Sequence, residues 1–257
     1  MIFISHLLPD EEMREVIART NAGIESIEFS ISENLDSLAG TIASYRERMK
    51  YIGAERLILH GPFLDLNPVA FDREIRRVSE LRFCQAYQAA QELGAEKIVY
   101  HSCYLPDVCF PAGWPERTAD FYRNFLCKHT DIEVVMENVY ERNWDTVLRT
   151  ASLLGGTRGT GRFHLCFDTG HAGCYSSLPI CEWAEHLRNY ISHVHIHDND
   201  GTRDAHSAVG SGTIPWKPLL RKLAPLEDLT WTIECNTQNA VLHSFQALTS
   251  LLQETAG

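Results

Sequence analysis

The property of this chain that most limits its fold is an alternation. Short β-rich runs take turns with helix-forming stretches from one end to the other. The runs read as Ile2–Ser5, Ser26–Ser30, Arg56–His60, Lys97–His101, Glu133–Glu137, Phe163–Phe167, Ser192–His197 and Thr230–Glu234. Stretches able to form helices follow them, among them Asp10–Thr20, Phe71–Leu93, Trp144–Leu154, Cys181–Arg188 and Val241–Thr255. Several runs (LIL, IVY, VVM) are continuously apolar, as strands covered on both faces are. Eight such pairs within 257 residues predict an α/β fold, the (β/α)8 TIM barrel. No Pro/Ser/Gly-rich linker divides the chain, so residues 1–257 are expected to form a single domain. The competing open sheet would want a glycine-rich phosphate loop after its first strand, and SHLLPDEE is not one.

The polar residues add a second regularity. His60 ends LILH, His101 ends IVYH, Glu137 ends VVME, Asp168 follows LCF, His195 lies in VHIH and Glu234 ends WTIE. Each falls at the carboxyl end of an expected strand, the end that forms the functional rim of a barrel. Packing needs only apolar filler there. Glu137, Asp168 and Glu234 would repel one another at that rim, and a divalent cation is the simplest way to keep all of them ionised.

The densest stretch, YISHVHIHDNDGTRDAHSAVGSGTIPW (190–216), holds His193, His195, His197, Asp204 and His206. Side chains alternate faces along a strand, so the first three histidines share one face. Any one of them alone reads more readily as a hydrogen-bonded core group than as a ligand, but five such groups together favour metal binding. Imidazole and carboxylate suit zinc, iron or manganese.

The formal charge of −11 and the lack of clustered Lys and Arg argue against a polyanionic partner. The richest basic stretch, Arg46–Lys50, carries its own Glu47 and reads as a solvated helix end. No apolar run reaches the ~18 residues of a membrane span, and MIFISHLLPDEE lacks the features of a secretory signal. A soluble, cytoplasmic protein is expected. The eight cysteines are scattered without a C-x-x-C pair, so neither a disulfide framework nor a thiolate zinc site is expected.

The segments HGPFLDLNP (60–68), MEN (136–138), FDTGH (167–171), HIHDND (195–200) and IEC (233–235) resemble, in order and spacing, the xylose isomerase-like TIM-barrel superfamily. That superfamily joins sugar isomerases and epimerases with endonuclease IV-type AP endonucleases. Resemblance to the first branch implies one divalent ion held by Glu137, Asp168, His195 and Glu234, with Glu137 and Glu234 as acid/base groups and His171 on the substrate oxygens. Resemblance to the second implies a multinuclear zinc cluster, with matching residue types at His60, His101, Glu137, Asp168, His171, His195, Asp204, His206 and Glu234. One to three ions are thus implied, zinc first and manganese as the alternative. Where AP endonucleases grip DNA, this chain has the acidic or neutral loops SISENLDSL and HGPFLDLNP, which disfavours nucleic acid as partner. Relatives in the isomerase branch are often oligomeric, which makes a homo-oligomer compatible with the resemblance.

The first functional expectation is a metal-dependent isomerase or epimerase of a small carbohydrate or sugar phosphate, moving a proton between carbon and Glu137 or Glu234. The second is a zinc-dependent phosphoester hydrolase in which Glu137 bridges ions. A binding protein without catalysis is disfavoured because every carboxylate either reaction uses is present. Glu28, Phe63, His171, His197 and Arg203 are candidate substrate contacts, with a surface ion pair the competing role for Arg203. His193 and His197 are candidates to orient His195. Asp198, Asp200 and Gly201 read as a turn. The loop aromatics Phe63, Tyr104, Phe110, Trp114, Tyr140 and Tyr175 read as pocket lining. His6, His129, His164, His186 and His243 read as structural or surface groups.

Overall fold

A computed structural model describes residues 1–256. Eight parallel strands close into a barrel in sequential order, the last pairing with the first. They are β1 (Ile2–Ser5), β2 (Gly23–Ser26), β3 (Leu57–His60), β4 (Lys97–His101), β5 (Glu133–Glu137), β6 (Phe163–Asp168), β7 (Ile191–Ile196) and β8 (Thr230–Ile233). The helices are α1 (Asp10–Thr20), α2 (Ser32–Asp36), α3 (Leu38–Ile52), α4 (Arg73–Leu93), α5 (Trp114–Leu126), α6 (Asp145–Leu154), α7 (Thr169–Tyr175), α8 (Ile180–Leu187), α9 (Trp216–Leu223) and α10 (Gln238–Ala256). None of the described helices is long and apolar enough to cross a membrane.

Period-two alternation divides the strand residues between two cores. Outward residues such as Ile98, Tyr100, Val134, Met136, Leu165 and Phe167 pack with the helices. Phe3, Ile58, Val99, Val135 and Cys166 form a separate cluster inside the barrel. Two residues beyond the last four of these stand His60, His101, Glu137 and Asp168. The strand period that buries the interior plug therefore also lifts the polar residues onto the carboxyl rim. Gly23 is required at this level, since a Cβ there would lie 2.4 Å from the Phe3 ring.

The interior is polar below the plug as well. Lys97 donates to the Ser192 carbonyl at 2.8 Å and lies 3.2 Å from Glu133, whose other oxygen accepts from His164 Nδ1 at 2.8 Å. The paired carboxylate makes a buried lysine tolerable there.

Helix ends follow local chemistry. Asp72 caps α4 by accepting from Glu74 and Ile75 N–H, which starts the helix at Arg73, two residues after the expected Phe71. Of the other foreseen helices, α1 matches its sequence reading at both ends and the rest match to within three residues at each end.

The second strand departs from the sequence reading. β2 ends at Ser26, and Glu28–Ser30 form a single 3-10 turn. The apolar Ile27 and Phe29 suggested strand continuation, but the chain bends after Ser26, whose hydroxyl accepts from Glu28 N–H at 3.2 Å. Glu28 is consequently not an inward-facing group at a strand end. It pairs with Arg48 at 2.6 Å and accepts from Asn34. The inward acid of β2 is Glu25.

Candidate metal centre

Four carboxylates and six imidazoles meet at the carboxyl rim. Glu137, fully buried on β5, lies 3.2 Å from His60 Nε2, 3.4 Å from His101 Nε2, 3.2 Å from His171 Nδ1 and 3.3 Å from His195 Nδ1. His195 Nδ1 is also 3.4 Å from Glu234 and 3.6 Å from Asp168. Asp168 meets His197 Nε2 at 3.2 Å. Asp204 lies 3.4 Å from His171, 3.4 Å from His197 and 3.2 Å from His206. All nine ligand candidates named from the sequence are thus contiguous, although Asp204 and His206 come from an irregular loop.

Backbone chemistry aims these side chains. Asp168 ends β6 and caps α7 by accepting from His171 N–H at 2.6 Å, which turns the chain so that His171 faces back over the rim. Asn138 links β5 to β6, donating to the Asp168 carbonyl and accepting from Asp168 N–H. Asp198 does more than turn duty. It is fully buried and accepts from Gly210 N–H, Ile214 N–H and Trp216 Nε1, tying down the loop that carries Asp204 and His206. Asp200 does make the expected turn, accepting from Thr202 N–H.

Two other expectations are corrected. His197 is fully buried, stacks on His206 at 4.1 Å and faces Asp168 and Asp204 as a potential donor, rather than standing as a free substrate contact. Arg203 points to solvent and pairs with no carboxylate among the described residues. Phe63 is where a substrate contact would be, edge-on to His60 and stacked on His101 at 4.2 Å. Of the loop aromatics, Phe63 and Tyr140 line a cavity of about 300 Å³ over the centre, Tyr104 lines a neighbouring one, and Phe110 lines a further one while lying exposed beside Phe71; Trp114 is instead buried at the start of α5 against Tyr104.

Sequence reasoning missed Glu25. It is fully buried under the centre, 3.0 Å from both His193 Nε2 and His195 Nε2. Its signal was the alternation in GIES, where an acid separated by one residue from Gly23 shares the inward face. His193 belongs to this lower layer and not to the rim, its Nδ1 lying 2.7 Å from Thr230 Oγ1.

The donor set suits a divalent cation. Among the described residues no Lys or Arg pairs with Glu137, Asp168, Asp204 or Glu234. His197 Nδ1 and Asp204 Oδ1 are buried 3.4 Å apart, yet neither has a hydrogen-bond partner. Burial opposes ionisation of Asp168 and Glu137, but the facing imidazoles outweigh it and hold both below the ordinary carboxylate range. Despite burial, Asp204 and Glu234, with a smaller contribution from Asp168, raise His206 to about 9. Cations occupying the cluster would take the place of these protons. Burial pushes His101 down to about 3, which leaves its ring neutral. Nitrogen and oxygen donors in this number fit zinc or manganese. Burial raises the Cys166 thiol, which lies with His193 and His195 in the layer below the rim. All eight cysteines are free.

A (β/α)8 barrel with a histidine–carboxylate centre at its carboxyl rim is the class of protein these features define. A sequence model of the xylose isomerase-like TIM barrel matches residues 18–251, and the chain belongs to that family. Uncharacterized protein MJ1311 of Methanocaldococcus jannaschii is 29% identical over 181 residues, covering 65% of this chain and 59% of that protein. A Mycobacterium leprae protein named "Probable endonuclease 4" is 28% identical over 169 residues, covering 61% and 64%. The matched stretch therefore spans roughly three-fifths of these relatives' lengths. Among solved structures, a D-tagatose 3-epimerase-like protein superposes with a TM-score of 0.78 at 22% identity, covering 99% of this chain and 98% of that one. TTHB071 protein from Thermus thermophilus, soaked with ZnCl2, superposes with a TM-score of 0.77 at 24% identity, covering 97% and 98%.

Proposed function

We propose that this protein is a metal-dependent isomerase or epimerase of a small carbohydrate. The observation that carries the reading is the placement of Glu137 and Glu234. Glu137 at the end of β5 and Glu234 just past β8 reach the same His195 nitrogen, at 3.3 and 3.4 Å, and both line one cavity of about 300 Å³. A divalent ion held by Glu137, Asp168, His195 and Glu234 would polarise a substrate C–O group and lower the cost of removing the neighbouring proton.

The chain's own groups would then divide the work. Glu137 is hemmed in by four imidazoles and is the more fixed of the pair. Glu234 meets only His195 and His206 among the described residues and opens onto the cavity, so it takes the substrate proton, and Glu137 returns one on the other side after gaining it from the His60 ring, whose Nε2 faces it at 3.2 Å. His171 lines the cavity and holds a substrate oxygen. Phe63, His101, Val139 and Tyr140 also wall a second, more apolar cavity of about 410 Å³ with Leu64, Leu66 and Leu105, which receives the unreactive part of the substrate. Among the described residues no Lys or Arg lines either cavity, so an unphosphorylated carbohydrate fits better than a sugar phosphate.

A second reading, phosphoester hydrolysis, is favoured by donor capacity. His60, His101 and Glu137 form one potential ligand group, and Asp168, His171, His197, Asp204 and His206 supply two more. One experiment separates the readings. Purified protein would be analysed for metal, then incubated in D2O with unphosphorylated ketoses and, separately, with an oligonucleotide containing an abasic site. Deuterium entering the sugar, abolished in E234Q, supports the first reading. Two or three zinc ions per chain with strand cleavage and no exchange refutes it in favour of the second.

A further inference from the structure

His60, His171 and His206 share one arrangement. Each gives its Nδ1–H to a backbone carbonyl, of Gly61 at 2.9 Å, Asn138 at 3.0 Å and Glu234 at 2.9 Å, and turns Nε2 towards a carboxylate of the centre. A backbone acceptor fixes the tautomer and leaves the other nitrogen free as a donor.

His195 is the reverse. Its Nδ1 faces Glu137, Glu234 and Asp168, and its Nε2 points down the barrel axis to Glu25 Oε1 at 3.0 Å. Strand carbonyls at that level are taken up by the parallel ladder, so the acceptor on the axis has to be a side chain. Glu25 has no oxygen left for another task. Its Oε2 is engaged by His193 Nε2 at 3.0 Å and by the Thr232 hydroxyl.

We infer that Glu25 is the positioning residue of the centre: it accepts the Nε2 proton of His195 and so presents Nδ1 as the ligand atom where Glu137, Asp168 and Glu234 converge. A carboxylate only accepts, which lets one group hold the same tautomer in His193 and His195 at once. Glutamine has the same shape but must donate at one end. In E25Q one of the two rings therefore loses its partner or is driven to the opposite tautomer. The inference rests on the centre binding metal and is independent of which reaction it carries out.

The test joins zinc affinity, by competition with a chromophoric chelator, to nitrogen–proton NMR correlations of the histidine side chains. In the zinc-loaded wild type, His195 is expected to carry its proton on Nε2. E25Q is expected to lose that pattern and to bind zinc about 10–100-fold more weakly, the size of effect usual for partners of ligating histidines. H193Q removes the other partner of Glu25 from the same buried layer, and it is expected to keep both the His195 pattern and wild-type affinity. The inference is overturned if E25Q binds zinc as tightly as wild type, or if H193Q weakens binding equally, which would make the whole layer mere packing. Should E25Q not fold, the wild-type spectrum decides, since a proton on His195 Nδ1 contradicts the inference by itself. A wild type that takes up no zinc or manganese would instead refute the metal reading beneath it.

Discussion

Gly170 lies in the first turn of α7, between Asp168 and His171, and Gly170→Ala tests whether the centre is as tightly determined as its geometry requires. Elsewhere in a helix this change stabilises by about 0.8–1 kcal/mol, because alanine has less backbone entropy to lose. Here a Cβ would stand 1.9 Å from His197 Cε1 and 2.2 Å from its Nδ1, far inside van der Waals contact. The ring has nowhere to go, being fully buried, stacked on His206 at 4.1 Å and 3.2 Å from Asp168. Overpacking of this kind costs about 1–3 kcal/mol. After the helix gain, a net loss of up to about 2 kcal/mol remains, or a fall in Tm of up to about 8 °C for a domain of this size. Gly173→Ala in the same helix is the control, since its Cβ would meet the flexible end of Ile214 at 3.2 Å and should be neutral or stabilising. Thermal unfolding and metal content of both variants would be measured. A Gly170→Ala protein as stable as Gly173→Ala, with a full metal complement, would refute the claim that His197 is held in place as part of the centre.

Two further predictions concern charge. Despite its burial, Glu133 is held at about 2, against an ordinary value of 4.5, chiefly by the His164 hydrogen bond and the Lys97 charge. A depressed folded-state value contributes stability above the unfolded value and loses it as pH falls through the folded one, here between about 4.5 and about 2. E133Q should therefore be less stable than wild type by about 2–3 kcal/mol at pH 7. The gap should narrow as urea unfolding is repeated from pH 5 down to pH 3, and a gap independent of pH would count against the assignment. Asp204→Asn weakens the oxygen set facing His171, His197 and His206. If the centre is multinuclear, elemental analysis should find one ion fewer per chain with the others retained, whereas unchanged stoichiometry would place Asp204 outside it.

The barrel and most of its rim were legible in the sequence because both are written in period two. Apolar Ile58, Val99 and Val135 fix the inward face, and His60, His101 and Glu137 follow at the next inward position. Asp204 and His206 were legible through their density beside the β7 histidines and through family resemblance, since no periodicity runs through a loop. Glu28 misled because Ile27 and Phe29 continue the strand pattern, whereas the Ser26 hydroxyl and the Arg48 ion pair, which turn Glu28 away from the barrel, involve contacts no local pattern encodes.

What the sequence determined by itself was therefore the order of elements, the inward face of each strand and the kinds of donor atom at the rim. Tertiary structure alone decided which donors share a cation, that Glu25 lies beneath His195 although 170 residues separate them in sequence, and that His197 is enclosed while Arg203 is not. The physical reason is that a strand's own pattern sets which way a side chain points. What it meets is set by barrel closure and register, which bring distant strands to within hydrogen-bond reach.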